Sequence, residues 1–128
     1  MATKQIIKPA KSPAAVGPYN HAVRVGDLLF CAGQIPIDPA TGNLDTADIT
    51  TETRRVMDNI TAILRASGMQ VNDIAKTTIY LTDLGNFKAV NEAYGSYFGN
   101  GPYPARETVG VASLPEGAHV EISVTAIK

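Results

Sequence analysis

The chain has 128 residues, enough for one hydrophobic core but not two, so residues 1–128 are expected to form a single domain. With 45% hydrophobic and 18% charged residues it has the composition of a globular chain, which excludes a disordered one. A net charge of −1 supplies no basic field, so a nucleic-acid partner has no electrostatic support.

Gln5–Lys8 is a short strand candidate ended by Pro9, and the segment Pro9–Asn20 reads as a surface loop rich in proline. A hairpin follows: His21–Val25, a turn at Gly26-Asp27, then Leu28–Ile35. The second strand places Leu28, Phe30 and Ala32 on one side and Leu29, Cys31 and Ile35 on the other, which predicts burial of both faces. After a turn at "DPATGN" the period becomes helical over Ile49–Ser67, where Val56, Ile60, Ile63 and Leu64 make one stripe. Asp48 is placed as the N-cap and Gly68 as the C′ residue. Ile74–Leu81 is a strand rich in β-branched residues. Phe87–Phe98 is a second helix carrying Phe87, Val90 and Tyr94 on one stripe, and the stretch "ARETVGVASLPEGAHVEI" supplies the last two strands. The order βββαβαββ predicts an α+β two-layer sandwich of four to six strands with both helices on one face. The opposite face must then meet solvent or another subunit.

No apolar run reaches the roughly 20 residues needed to cross a bilayer, and the first fifteen residues lack the apolar stretch of a secretory signal. The single cysteine, Cys31, excludes an internal disulfide framework and fits a reducing compartment, so a cytoplasmic location is expected. His21 and His119 stand apart without metal-ligand spacing, and no metal site is expected. The segment "GNGPYP" lacks the lysine and hydroxyl of a phosphate loop.

The last two strands carry Arg106, Glu107 and Glu121 among small or apolar residues. If Val109 and Val111, with Val120, Ile122 and Val124, face the helices, Arg106, Thr108 and Glu121 share the helix-free face while Glu107 takes the other side. A covered polar face of this kind implies an oligomer, most simply a ring of inward-packed sheets. A guanidinium fixed on a strand can grip a carboxylate or phosphate in bidentate fashion, and a nearby carboxylate can orient and deprotonate water. On pattern alone, the alternative is that Arg106 and Glu121 form a structural or intersubunit salt bridge.

The segments "GPYNHAV", "FCAGQIPIDPATG", "LTDLGNFKAVNEAY", "YPAR" and "SLPEGAHVEI" occur in this order along nearly the whole chain. Together they resemble the RidA/YjgF family, also called L-PSP endoribonuclease-like. The resemblance implies a chorismate-mutase-like fold and a homotrimer with clefts at the subunit interfaces. It further implies hydrolytic deamination of reactive 2-imino and enamino acids, such as 2-aminoacrylate, to 2-keto acids and ammonia. Those substrates come from pyridoxal-phosphate dehydratases acting on serine or threonine, and the hydrolysis itself uses no cofactor.

Position by position, Arg106 matches the carboxylate-binding arginine and Glu121 the carboxylate that holds water. Tyr19 matches a cleft tyrosine contributed across the interface. Asn91, Gly33 and Thr108 match other substrate-binding positions, the last two through their backbones. Thr108 stands where many members have cysteine, Ala32 where many have serine, and Glu107 where small or apolar residues are common. Two other readings compete with the deaminase: an endoribonuclease or translation inhibitor, and a non-catalytic keto-acid-binding or chaperone-like module. The near-neutral charge and the lack of paired histidines argue against RNA cleavage.

Overall fold

A computed structural model describes residues 3–9, 15 and 17–128. Its strands are β1 (Gln5–Ile7), β2 (Ala22–Val25), β3 (Leu28–Gln34), β4 (Ile74–Leu81), β5 (Ala105–Gly110) and β6 (Val120–Ile127). The helices are α1 (Ile49–Ala66) and α2 (Phe87–Gly95), the latter continuing into a single 3-10 turn at Ser96–Phe98. The six strands form one sheet in the order β1-β2-β3-β6-β4-β5. All neighbours are antiparallel except β4 and β5, which are parallel and joined through α2. The expected element order and α+β class are therefore present, and part of the Pro9–Asn20 loop lies outside the described residues.

Local chemistry accounts for the boundaries. Asp48 caps α1, its Oδ1 accepting from the Thr51 N–H at 2.7 Å, and Gly68 ends it at φ +76°, a conformation that side chains disfavour. The stripe Val56, Ile60, Ile63 and Leu64 is at most 1% exposed and packs on the sheet beneath. Rows of paired residues define the two faces of that sheet. Ile7, Ala22, Cys31, Val124 and Thr77 lie side by side, all buried under the helices. The neighbouring row, Ile6, Val23, Phe30, Thr125 and Lys76, lies on the opposite face.

On that helix-free face the burial expected of β3 is absent within one chain. Leu28 is 37% exposed and Phe30 47%, and Ile6, Val109 and Ile127 are exposed as well. Both alternating sets of β3 are hydrophobic, which predicts two buried faces, but both helices cover the same side. A bulge between Cys31 and Gln34 then shifts the alternation, so that Gln34 is buried along with Leu29 and Cys31.

Candidate functional site

Strand β5 carries the first half of the site, and it faces the other way from the sequence-based expectation. Its parallel register sets Arg106 beside Thr77 and Thr108 beside Ile79, both of which are buried under the helices. Arg106 therefore points to the helix side and Glu107 to the helix-free side. Val109, assumed to be a core residue, is 41% exposed because it lies on the uncovered face of an edge strand.

Helix α2 receives the guanidinium. Phe87, Asn91 and Tyr94 fall at i, i+4 and i+7, on one face of that helix. Arg106 Nη1 donates to Asn91 Oδ1 at 2.7 Å. Its Cζ lies 5.6 Å from the Phe87 ring centre and 5.5 Å from that of Tyr94, within cation–π range. Tyr94 is held in turn by its hydroxyl, which is 2.9 Å from Thr77 Oγ1. The guanidinium has five N–H donors. Among the described residues no carboxylate comes within ion-pair distance of it, so the salt bridge to Glu121 does not form within the chain. Arg106 instead opens onto a cleft of about 430 Å³ shared with Asn91, Tyr94, Gly95, Tyr103 and Pro104.

Glu121 carries the second half. It pairs with Tyr80 while its neighbours Val120 and Ile122 are buried under α1, so it points to the helix-free face as expected. Its carboxylate lies over Gly33: a Cβ on that glycine would sit 2.6 Å from Glu121 Oε2. Partial burial pushes the Glu121 carboxyl up from its ordinary value. Gly33, Glu121, Tyr19, His21, Ala32, Gln34, Ile35, Ile37, Pro115 and Glu116 line a second cavity of about 370 Å³.

Gln34 organises the wall of this cavity. Its Nε2 donates to the Ala32 carbonyl at 3.3 Å and lies 3.2 Å from His21 Nδ1. The amide nitrogen is the donor in that contact. Tyr19 meets the His21 ring edge-on at 5.9 Å between centres.

The six residues singled out in the sequence thus divide between two places. Arg106, Asn91 and Thr108 stand on the helix side of the β5 edge. Tyr19, Gly33 and Glu121 gather at the other cavity, and Arg106 and Glu121 lie on opposite faces of the sheet. Thr108 Oγ1 is buried without a hydrogen-bond partner. Glu107 is engaged by Thr78 at 2.5 Å and Lys76 at 3.1 Å, which hold its carboxyl below the ordinary value. It is turned away from Arg106.

Phe87, Tyr94, His21, Gln34 and Glu116 were not recognised as site residues. The signal for the first two was the aromatic-polar-aromatic stripe of α2, a face suited to a cation. Cys31 is inert: burial pushes its thiol up to about 12. The buried carboxylate of Glu52 in α1 was also missed. It accepts from the His119 N–H at 3.0 Å, lies 2.8 Å from His119 Nδ1, and so fixes the approach to β6. Among the described residues no helix is long and apolar enough to cross a membrane.

A family model described as Endoribonuclease L-PSP matches residues 9–128. A RutC family protein of Pyrococcus abyssi is 46% identical over 125 residues, covering 98% of each chain. The 2-iminobutanoate/2-iminopropanoate deaminase of mouse is 39% identical, covering 98% of this chain and 92% of the mouse protein. Among solved structures, the Rid-family protein YyfA of Yersinia pestis superposes with a TM-score of 0.95 at 44% identity, covering 98% of this chain and 100% of that one. Escherichia coli TdcF, solved with bound serine, gives a TM-score of 0.93 at 39% identity and covers 98% and 99% of the two chains.

Proposed function

Because this chain belongs to the endoribonuclease L-PSP family, which includes RidA and YjgF, we propose that it deaminates reactive 2-imino acids by hydrolysis. The observation that carries the reading is Arg106: a braced guanidinium, without a carboxylate partner among the described residues, beside an open cleft. The names of two relatives support it. The mouse protein is a 2-imino acid deaminase, and TdcF holds serine, a small amino acid with the same carboxylate handle.

Arg106 and Glu121 sit on opposite faces of one sheet, so the reading requires a site assembled from two copies. One copy supplies Arg106, Asn91 and the Thr108 backbone; the next supplies Glu121, Gly33 and Tyr19. The exposed Leu28, Phe30, Val109 and Ile127 offer the apolar contact such packing needs, in keeping with a homotrimer.

The mechanism uses no strong nucleophile, since an iminium carbon is already electrophilic. Arg106 holds the substrate carboxylate through two N–H donors, and Asn91 and the two rings fix the fork in one direction. An enamine substrate first takes a proton from water at its β-carbon to become the iminium ion. Glu121 accepts a proton from water as the water oxygen bonds to the imine carbon, and the C=N π electrons move to nitrogen. The same carboxyl then returns the proton to nitrogen. The C–N bond breaks as ammonia leaves, the Glu121 carboxylate takes the remaining hydroxyl proton and passes it on to ammonia or bulk water, and the carbonyl of the 2-keto acid forms. Partial burial of Glu121 makes it a stronger base than an exposed glutamate.

RNA cleavage is the weaker reading, since neither cavity is lined by a pair of histidines. The test generates 2-iminobutanoate with an amino-acid oxidase and traps it with semicarbazide. Wild type is expected to suppress semicarbazone formation, and Arg106→Ala and Glu121→Gln to lose that suppression by about 10²-fold or more in kcat/KM. Equal curves for wild type and Arg106→Ala would remove the proposal.

A further inference from the structure

The cavity that holds Glu121 is lined by a second glutamate that the hydrolysis does not use. Glu116 lines it together with the apolar side chains of Ile35, Ile37 and Pro115. At about 370 Å³ the space is larger than 2-iminobutanoate needs and falls in the range of much longer ligands. Glu116 is exposed, and its carboxylate has no hydrogen bond or ion pair with any described residue. It is nonetheless presented from a tightly held turn. The Ala118 N–H donates to the Pro115 carbonyl at 3.1 Å, and the adjoining His119 is tied to Glu52 of α1. Among the described residues no lysine or arginine lines this cavity, and its two carboxylate-bearing residues are Glu116 and Glu121.

We propose that Glu116 sets the charge preference for the far end of the substrate, so that the site favours 2-imino acids with a cationic side chain over neutral and acidic ones. This rests on the deaminase reading above and specifies its substrate class. A long methylene stem lies along Ile35, Ile37 and Pro115, as lysine and arginine stems lie along apolar surface, while the cation reaches the Glu116 carboxylate. The α-carboxylate is already met by Arg106 of the adjoining copy. A side-chain carboxylate placed near Glu116 and Glu121 meets no lysine or arginine among the described lining residues and is repelled.

The test compares the imines of arginine, citrulline and glutamate, each made in situ by an oxidase that accepts the parent amino acid. Citrulline is the neutral isostere of arginine and serves as the internal reference in every variant. Wild type is expected to show a kcat/KM ratio of arginine imine to citrulline imine of about 2 to 5, the scale of one solvent-exposed charge pair. Glutamate imine is expected to fall below citrulline imine. Glu116→Gln brings the arginine ratio to about 1, Glu116→Lys reverses the order of arginine and glutamate imines, and about 0.5 M salt moves wild type toward Glu116→Gln. Ratios that stay the same in both variants, while the citrulline imine is still hydrolysed, overturn this proposal alone. A change in oligomer mass with unchanged ratios also overturns it, by assigning Glu116 to subunit contact. Failure to hydrolyse any of the imines, 2-iminobutanoate included, overturns the deaminase reading and this proposal with it.

Discussion

Gly33 and Glu121 compete for one small volume, and the glycine is there because the carboxylate occupies the space its side chain would need. The φ of Gly33 is not in the left-handed region, so alanine fits the backbone but puts its Cβ 2.6 Å from Oε2 of a flexible side chain. Gly33→Ala is therefore expected to move Glu121 rather than disturb the core. We predict a loss of about 10²-fold in kcat/KM with a stability change below about 1 kcal/mol, measured by the trap assay and by urea unfolding. Unfolding without selective loss of activity would instead make Gly33 a packing residue. Glu121 carries the opposite signature. Its folded-state pKa is raised, so its contribution to stability is fully present below the unfolded value, ordinarily 4.5, and is lost as pH rises through the folded value. Glu121→Gln should then raise the melting temperature at pH 7, with the gain shrinking as pH falls toward the ordinary carboxylate range. A lower melting temperature for the variant at pH 7 would show that the carboxylate is stabilising.

At the scale of elements, α2 makes a receptor for a cation out of a face that also packs on the sheet. Phe87 and Tyr94 flank Arg106, and Asn91 accepts from it. Removing that acceptor should loosen carboxylate binding more than chemistry. Asn91→Ala is expected to raise KM about tenfold, the scale of one hydrogen bond to a charged group, with kcat within about twofold. Steady-state kinetics decide it, and a fall in kcat at unchanged KM would contradict the positioning role. The existence, order and most ends of these elements were legible in the sequence, because periodicity and caps are local: Asp48, Gly68 and the Val56–Leu64 stripe stand where they were placed. The face of β5 was not. Hydrophobicity assigned Val109 to the core, whereas the parallel register with β4 puts Arg106 in line with buried Thr77. A strand with few apolar residues gives no reliable face by itself, and only its pairing with Thr77, Ile79 and Leu81 settles the matter. The same limit explains β3, whose second apolar set lacks a covering layer in one chain. The candidate site was legible as a set of residue types. Its division between two faces was not, because it depends on that register.

At the scale of the whole molecule, the two halves of the site lie back to back across one sheet, Arg106 toward the helices and Glu121 away from them. On the proposed mechanism the chemistry belongs to an assembly, in which each copy serves one neighbour as carboxylate clamp and another as water holder. Exposed Leu28, Phe30, Val109 and Ile127 give the helix-free face a reason to be covered. The most direct measurement mixes two variants, each inactive alone: Arg106→Ala and Glu121→Gln, co-expressed or unfolded and refolded together in equal amounts. In a randomly mixed closed oligomer, a site that takes Arg106 from one copy and Glu121 from another is intact in about one quarter of cases. The mixture is predicted to recover about 25% of wild-type imine hydrolysis per chain, while each variant refolded alone stays at about 1% or below. If mixed oligomers form, as two distinguishable tags on one complex would show, and activity stays at the level of the single variants, both groups act from the same chain and the shared-site account is wrong.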